Sequence, residues 1–189
     1  MNLNKLRDKA YQCAVAHGWH EENLSDEHFL CLVISELMEA VEADRKGMHA
    51  NRVNFEYYMK QRKRDDGEFM YAFKHGIKDS VEDELSDACI RLLDLAGLRN
   101  VDLGEVNSDE LKCSEGFFNW SFTDAIFSLV CNITDTDYIE THSFDSFLRV
   151  ALVEILVFCV QKEIDIFWYI EQKMKYNELR PYKHGDKSY

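Results

Sequence analysis

Apolar residues recur every three to four positions along several long stretches of this chain, the period of one helical face. Residues 2–17 read as a first helix with Leu6, Tyr11, Cys13, Ala14 and Ala16 among its inward positions, ended by Gly18. Residues 19–24 read as a turn. Ser25 is placed to cap a second helix, with Asp26 and Glu27 in the first turn where the helix dipole favours acids. That helix runs to about Lys46 and stops at Gly47. Residues 49–75 are charged and aromatic by turns, and predict a helical excursion around 54–64. Asp79-Ser80-Val81-Glu82 reads as a capping box opening a helix that ends near Gly97. Residues 100–118, with Gly104 and Gly116, read as loop. Two further apolar helices follow at 119–132 and 144–161. Asp165 is placed to cap a last helix through Asn177, and Pro181 helps to end it. The tail, 178–189, is polar and without period. The pattern contains neither an internal repeat nor a low-complexity segment.

Composition supports an all-α chain. Of 189 residues only 8 are glycine and one is proline, few breakers for helices joined by short turns. The length suits one domain spanning 1–189, and 46% hydrophobic residues are enough for a proper core. A formal net charge of −13 disfavours nucleic acid over a broad surface, and an anionic membrane surface as well. The longest apolar stretch, 150–160, contains Glu154 and is too short to span a bilayer. Six scattered cysteines without metal-ligand spacing, and no charged-then-apolar N-terminal signal, suit a reducing cytoplasmic setting.

The distribution of acids narrows the chemistry. Glu36 and Glu39 lie in one predicted helix, Glu84 and Asp87 in another, each an i, i+3 pair on one face. Glu36 shares its stripe with Leu32, Val33, Ala40 and Ala43, and Glu84 shares its stripe with Val81 and Ala88, so both stripes face inward. Inward carboxylates are costly unless a metal or cation compensates them. The expected arrangement is a helical bundle with a carboxylate metal site between two central helices. Four carboxylates without histidine or cysteine favour a hard ion, Mg2+ or Mn2+, over zinc. A di-iron bundle requires Glu-x-x-His pairs, and none of the seven histidines has a glutamate three places before it. Simpler readings suit other residues: Trp19 as core rather than stacked on a base, Arg91 paired with Asp87 or Asp94 or held on phosphate, Lys78 solvated rather than turned into the site. The run 60–64 reads as a wet helix face, and Phe117, Phe118, Trp120 and Phe122 as core or subunit contact.

Five of the 22 basic residues, but only three of the 35 acidic ones, fall within 171–189. This local positive island suits either the frayed, solvated end of a helix, where cationic residues are common, or a tail that folds over phosphates, with Arg180 making forked contacts.

These motifs together resemble the all-α nucleoside triphosphate pyrophosphatases, which include MazG-type enzymes, dimeric dUTPases and dCTP pyrophosphatases. The similar segments are His17-Gly18-Trp19, Ile34-Ser35-Glu36-Leu37-Met38-Glu39-Ala40, and Glu82-Asp83-Glu84-Leu85-Ser86-Asp87 running into Ile90-Arg91-Leu92-Leu93-Asp94. Lys173, Asn177 and Arg180 match the last motif of the dimeric dUTPases, with Gly185 and Tyr189 as looser matches, and Met174 departs from it. The gap between the two acidic motifs is long, which makes 49–75 an insertion. The resemblance implies Mg2+-dependent hydrolysis of a nucleoside triphosphate to the monophosphate and pyrophosphate. It implies Glu36, Glu39, Glu84 and Asp87 as metal ligands, with Glu36 or Glu39 as the base. Lys173, Asn177, Arg180 and Lys183 would hold the phosphates, and the chain would form a homodimer or dimer-based tetramer. Two other classes stay open: a nucleotide- or metal-binding sensor without catalysis, and an oligomeric helical scaffold.

Overall fold

The computed structural model of the protein describes residues 1–61, 65–113, 116–135 and 141–186. Arg62, Lys63 and Arg64 of the basic run lie outside the described residues, as do Lys187 and Tyr189 of the tail. The described residues fold as an α-helical bundle whose only extended pairing is an isolated antiparallel bridge between Asn2 and Glu105. The helices are α1 (Leu3–Ala16), α2 (Asp26–Arg45), α3 (Arg52–Gln61), α4 (Asp66–Gly76), α5 (Val81–Leu98), α6 (Ser108–Cys113), α7 (Phe122–Ile133), α8 (Phe144–Gln161) and α9 (Ile166–Glu178). Among the described residues no helix is long and apolar enough to cross a membrane.

Hydroxyl caps fix several of the starts. Ser25, Ser80, Ser121 and Ser143 each accept a hydrogen bond from the backbone N–H three residues on. Caps of this kind contribute about 1 kcal/mol each. The box expected at 79–82 is displaced by one residue: Ser80 is the cap and Asp83 the third helical residue. Asp79 lies outside the helix, in the left-handed region at φ 60°. Asp165 occupies the cap position of α9 but makes no capping bond, because its carboxylate accepts from Arg52 Nη1 at 3.2 Å.

α5 is the central element, packed against α1, α2, α8 and α9. Its buried Leu85, Ala88, Cys89, Leu92, Leu93 and Ala96 meet Val33, Leu37 and Ala40 of α2 and Leu148, Leu152 and Ile155 of α8. Small residues at 40, 88 and 96 let the backbones approach. Gly97 serves the same end, since a Cβ there would run into the Tyr11 side chain of α1.

Residues 49–75 depart from the single excursion expected of them. They form two helices, α3 and α4, paired as a hairpin with a core of its own: Phe55, Phe69, Phe73 and Ile77 close over Tyr169 and Tyr176 of α9. Phe73 stacks on Tyr176 with centroids 4.3 Å apart and planes 19° from parallel. The loop expected at 100–118 contains the short helix α6. Of the aromatics at 117–122, Phe117 is buried, while Phe118 and Trp120 are exposed. The five described cysteines at 13, 31, 89, 131 and 159 are free.

Candidate functional site

A cavity of about 220 Å³ lies between α1, α2, α5 and α9, reaching the turn after α1 and the start of the tail. α2 supplies Glu36 and Glu39 to it, and α5 supplies Asp83, Glu84, Asp87, Arg91 and Asp94. α9 and the residues after it supply Lys173, Asn177 and Arg180. Trp19, expected in the core, is half-buried and lines the cavity together with Leu24 and Ile90.

The carboxylates of Glu36, Glu39 and Glu84 converge: one oxygen from each lies within 4.8 Å of the others. Glu84 forms a second such group with Asp79 and Asp83. Glu36 and Glu84 are buried, whereas Glu39 is exposed at the rim. Packing of α2 on α5 produces this convergence, because the i, i+3 pair of each helix sits beside its buried stripe. Asp87, the fourth expected member, lines the same cavity and is paired with a cation: Lys173 Nζ lies 2.7 Å from Asp87 Oδ2 and 2.7 Å from Asp83 Oδ1. Asp83 Oδ2 accepts from the Asp79 N–H at 3.0 Å, so both of its oxygens are used.

Lys173, expected on phosphate, is therefore committed to two carboxylates. Its side chain is only 6% exposed and its Nζ lies 5.6 Å from the Phe73 ring and 5.8 Å from the Tyr176 ring. The α3–α4 hairpin thus roofs the lysine. Arg91 likewise pairs with neither Asp87 nor Asp94. Its Nε and Nη2 both donate to Glu36 Oε1, at 3.0 and 2.9 Å. Asp87 is already held by Lys173, and Asp94 Oδ1 accepts from His20 Nε2 at 2.7 Å. Lys78 is exposed, as expected, and pairs with Asp79.

These contacts set the charge states. Burial, then the charge of Asp87, pushes the Glu36 carboxyl up to about 7, against the pull of Arg91. Burial, then Asp83 and Asp87, pushes Glu84 up to about 8. Burial also raises Asp83 and Asp94, with Lys173 and His20 respectively drawing them back. Burial works against the charge of Lys173, yet Asp87 and Asp83 hold it above the ordinary lysine value. The converging group offers only oxygen ligands, and of its three carboxylates only Glu36 is paired with a cation, which fits a hard divalent ion.

The tail packs back onto the turn after α1. The Lys183 N–H donates to the His17 carbonyl at 3.1 Å, Lys183 Nζ pairs with Glu21 at 3.2 Å, and the Tyr182 hydroxyl bonds the same carboxylate. His17 ring nitrogens lie 2.7 Å from the Cys13 carbonyl and 3.1 Å from the Arg180 carbonyl. Gly18 is required here: its φ is +78°, and a Cβ would collide with the Tyr182 ring. Arg180 and Asn177 face the cavity, while Lys183, expected on phosphate, is held by Glu21.

Sequence reasoning missed Asp83, His20 and Asp94. The signal was present on α5, where 83, 87, 90 and 94 follow one another at i+4, i+7 and i+11 and mark a second face beside that of Glu84. No protein-family model, curated protein or solved structure matches the chain.

Proposed function

We propose that this chain is a Mg2+-dependent hydrolase of nucleoside triphosphates, releasing pyrophosphate and leaving the monophosphate. One observation carries the reading. A single cavity is lined by three converging carboxylates, the cations Arg91 and Arg180, and the apolar side chains of Trp19, Leu24 and Ile90. The first suits a hard cation, the second phosphate oxygens and the third a planar apolar ring. Glu36, Glu39 and Glu84 would hold Mg2+, which when bound neutralises phosphate charge and makes water a better nucleophile.

The chain's own residues carry the remaining work. Glu36 is tied to Arg91, whereas Glu39 is exposed and makes no ion pair among the described residues. Glu39 is therefore assigned as the acceptor of the proton from attacking water. Water's oxygen bonds to the α-phosphorus, the bond from that phosphorus to the bridging oxygen breaks, and pyrophosphate leaves. Arg180 donates to the phosphate oxygens that gain charge in that step. Lys173 keeps Asp83 and Asp87 in place from beneath, which is a supporting role rather than contact with substrate.

A binding module that holds a nucleotide without cleaving it is favoured by one feature: Lys173 and Arg91 already occupy Asp87 and Glu36. A panel of ribo- and deoxyribonucleoside triphosphates with Mg2+, assayed for pyrophosphate, separates the two. We expect release from at least one nucleotide, and a fall of about 10²–10⁴-fold in Glu39→Gln, the range for loss of a general base. Binding without pyrophosphate from any nucleotide supports the module, and full turnover in both Glu39→Gln and Glu84→Gln rules out the assigned site.

A further inference from the structure

Asp94 stands on α5 ten residues beyond Glu84, about 15 Å along the helix axis, and lines the same cavity. That separation sets it apart from the converging carboxylates, one turn beyond Ile90, which lines the cavity from the same face of the helix. Its side chain is 13% exposed, and its Oδ1 is fixed by His20 Nε2 at 2.7 Å. Oδ2 makes no hydrogen bond among the described residues. His20 is 8% exposed and wedged between the rings of Tyr11 and Phe29, with centroids 5.2 and 5.8 Å away. Its other nitrogen, Nδ1, is buried with no partner. An orphaned buried nitrogen is costly, so the imidazole makes one polar contact, and that contact sets the orientation of Asp94. Asn177 lines the cavity as well, and its Oδ1 is buried without a partner.

We propose that Asp94, oriented by His20, reads the nucleobase by accepting a hydrogen bond from an exocyclic amine, so that the substrate is a cytosine or adenine nucleotide rather than a uracil or thymine one. This rests on the nucleotide reading above. An ionised carboxylate only accepts hydrogen bonds. Cytosine and adenine present an amine, N4–H2 or N6–H2, where uracil and thymine present the O4 carbonyl. A carbonyl set against Asp94 Oδ2 leaves two acceptors facing each other and the carboxylate without a donor. Sites built around a buried polar group reject such analogues strongly. Asp94 is thus a specificity-determining residue and His20 its positioning residue.

The test is calorimetric binding of CMP and UMP, which exchange the C4 amine for a carbonyl and the adjoining N3 for N3–H, to the metal-free protein. Wild type is expected to bind CMP about 10- to 100-fold more tightly, the range for one hydrogen bond to a charged group. In Asp94→Asn the new amide keeps its oxygen on His20 and turns its NH2 to the base, so the preference falls to near unity or inverts. Thermal melting checks that this variant folds, and the wild-type comparison needs no variant. Equal binding of CMP and UMP by wild type, no binding of either, or an undiminished preference in Asp94→Asn overturns the assignment. A clear CMP preference without pyrophosphate release from any triphosphate overturns catalysis and leaves the assignment standing.

Discussion

Replacing Lys173 by methionine removes the cation from beneath the acidic cluster and nothing else of comparable size. Asp83 has a side-chain exposure of 1%, and Asp87 of 21%, so the loss falls mainly on Asp83. Breaking a buried ion pair by deleting one partner costs about 3–5 kcal/mol, because the other charge is left uncompensated. For a chain of this length each kcal/mol moves the melting temperature by roughly 2–4 °C. Lys173→Met should therefore lower Tm by about 6–20 °C in calorimetry at pH 7 with chelator. The double variant Lys173→Met with Asp83→Asn should recover most of the loss, since Asp87 reaches water and the Asn keeps a hydrogen-bonding partner for the Asp79 N–H. The deficit of the single variant should also shrink near pH 5, where a neutral Asp83 costs little to bury. Were Lys173→Met to melt within 2 °C of wild type (a shift of under about 1 kcal/mol), or the double variant to melt as low as the single, the lysine would not be a structural counter-ion and its assignment to phosphate would return.

Two further outcomes follow from the same geometry. Burial raises Glu36 to about 7 and Glu84 to about 8, so between the unfolded carboxyl value near 4.5 and those values the folded chain retains protons that the unfolded chain has lost. Stability of the metal-free protein then falls as pH rises through that window; melts at pH 5.5 and 8 should show it, Glu84→Gln should reduce the slope, and a slope of opposite sign would exclude the burial argument. Gly18→Ala forces a left-handed alanine and a clash with Tyr182. It should cost about 1–2 kcal/mol and speed proteolysis between 178 and 186, and an unchanged cleavage rate would mean that the tail does not depend on this turn.

Most of the bundle is written in local pattern. Ser25 with two acids behind it, the apolar period to Ala43 and Gly47 define α2 with no help from the rest of the chain, and α8 emerges at 144–161 as the pattern predicts. The segments that were misjudged depend on tertiary partners. α3 and α4 read as one charged and aromatic excursion because their apolar residues are spent on each other and on Tyr169 and Tyr176, far along the chain. α6 has six residues, too few to show a helical period. The shift of the cap from Asp79 to Ser80 turns on Asp83, whose carboxylate serves the Asp79 N–H and Lys173 together, ninety residues apart in the second case.

The acids of the site were legible for a physical reason that does not extend to their partners. An inward i, i+3 carboxylate pair is anomalous by itself, so Glu36, Glu39, Glu84 and Asp87 announce a need for positive charge without saying what meets it. The fold answers with two internal cations. Arg91 takes Glu36 and Lys173 takes Asp83 and Asp87, so five clustered carboxylates face two positive charges. Three negative charges remain when all five are ionised. Burial first, and that excess second, raise Glu36 and Glu84, so the folded chain holds protons at a pH where free glutamate has lost them. A divalent cation would relieve the excess instead, leaving one charge unmatched. On this accounting the two cations neutralise only part of the cluster, and the remaining charge is what the proposed Mg2+ would meet. The balance depends on helix rotation and on the α3–α4 roof over Lys173, neither of which a residue count can express.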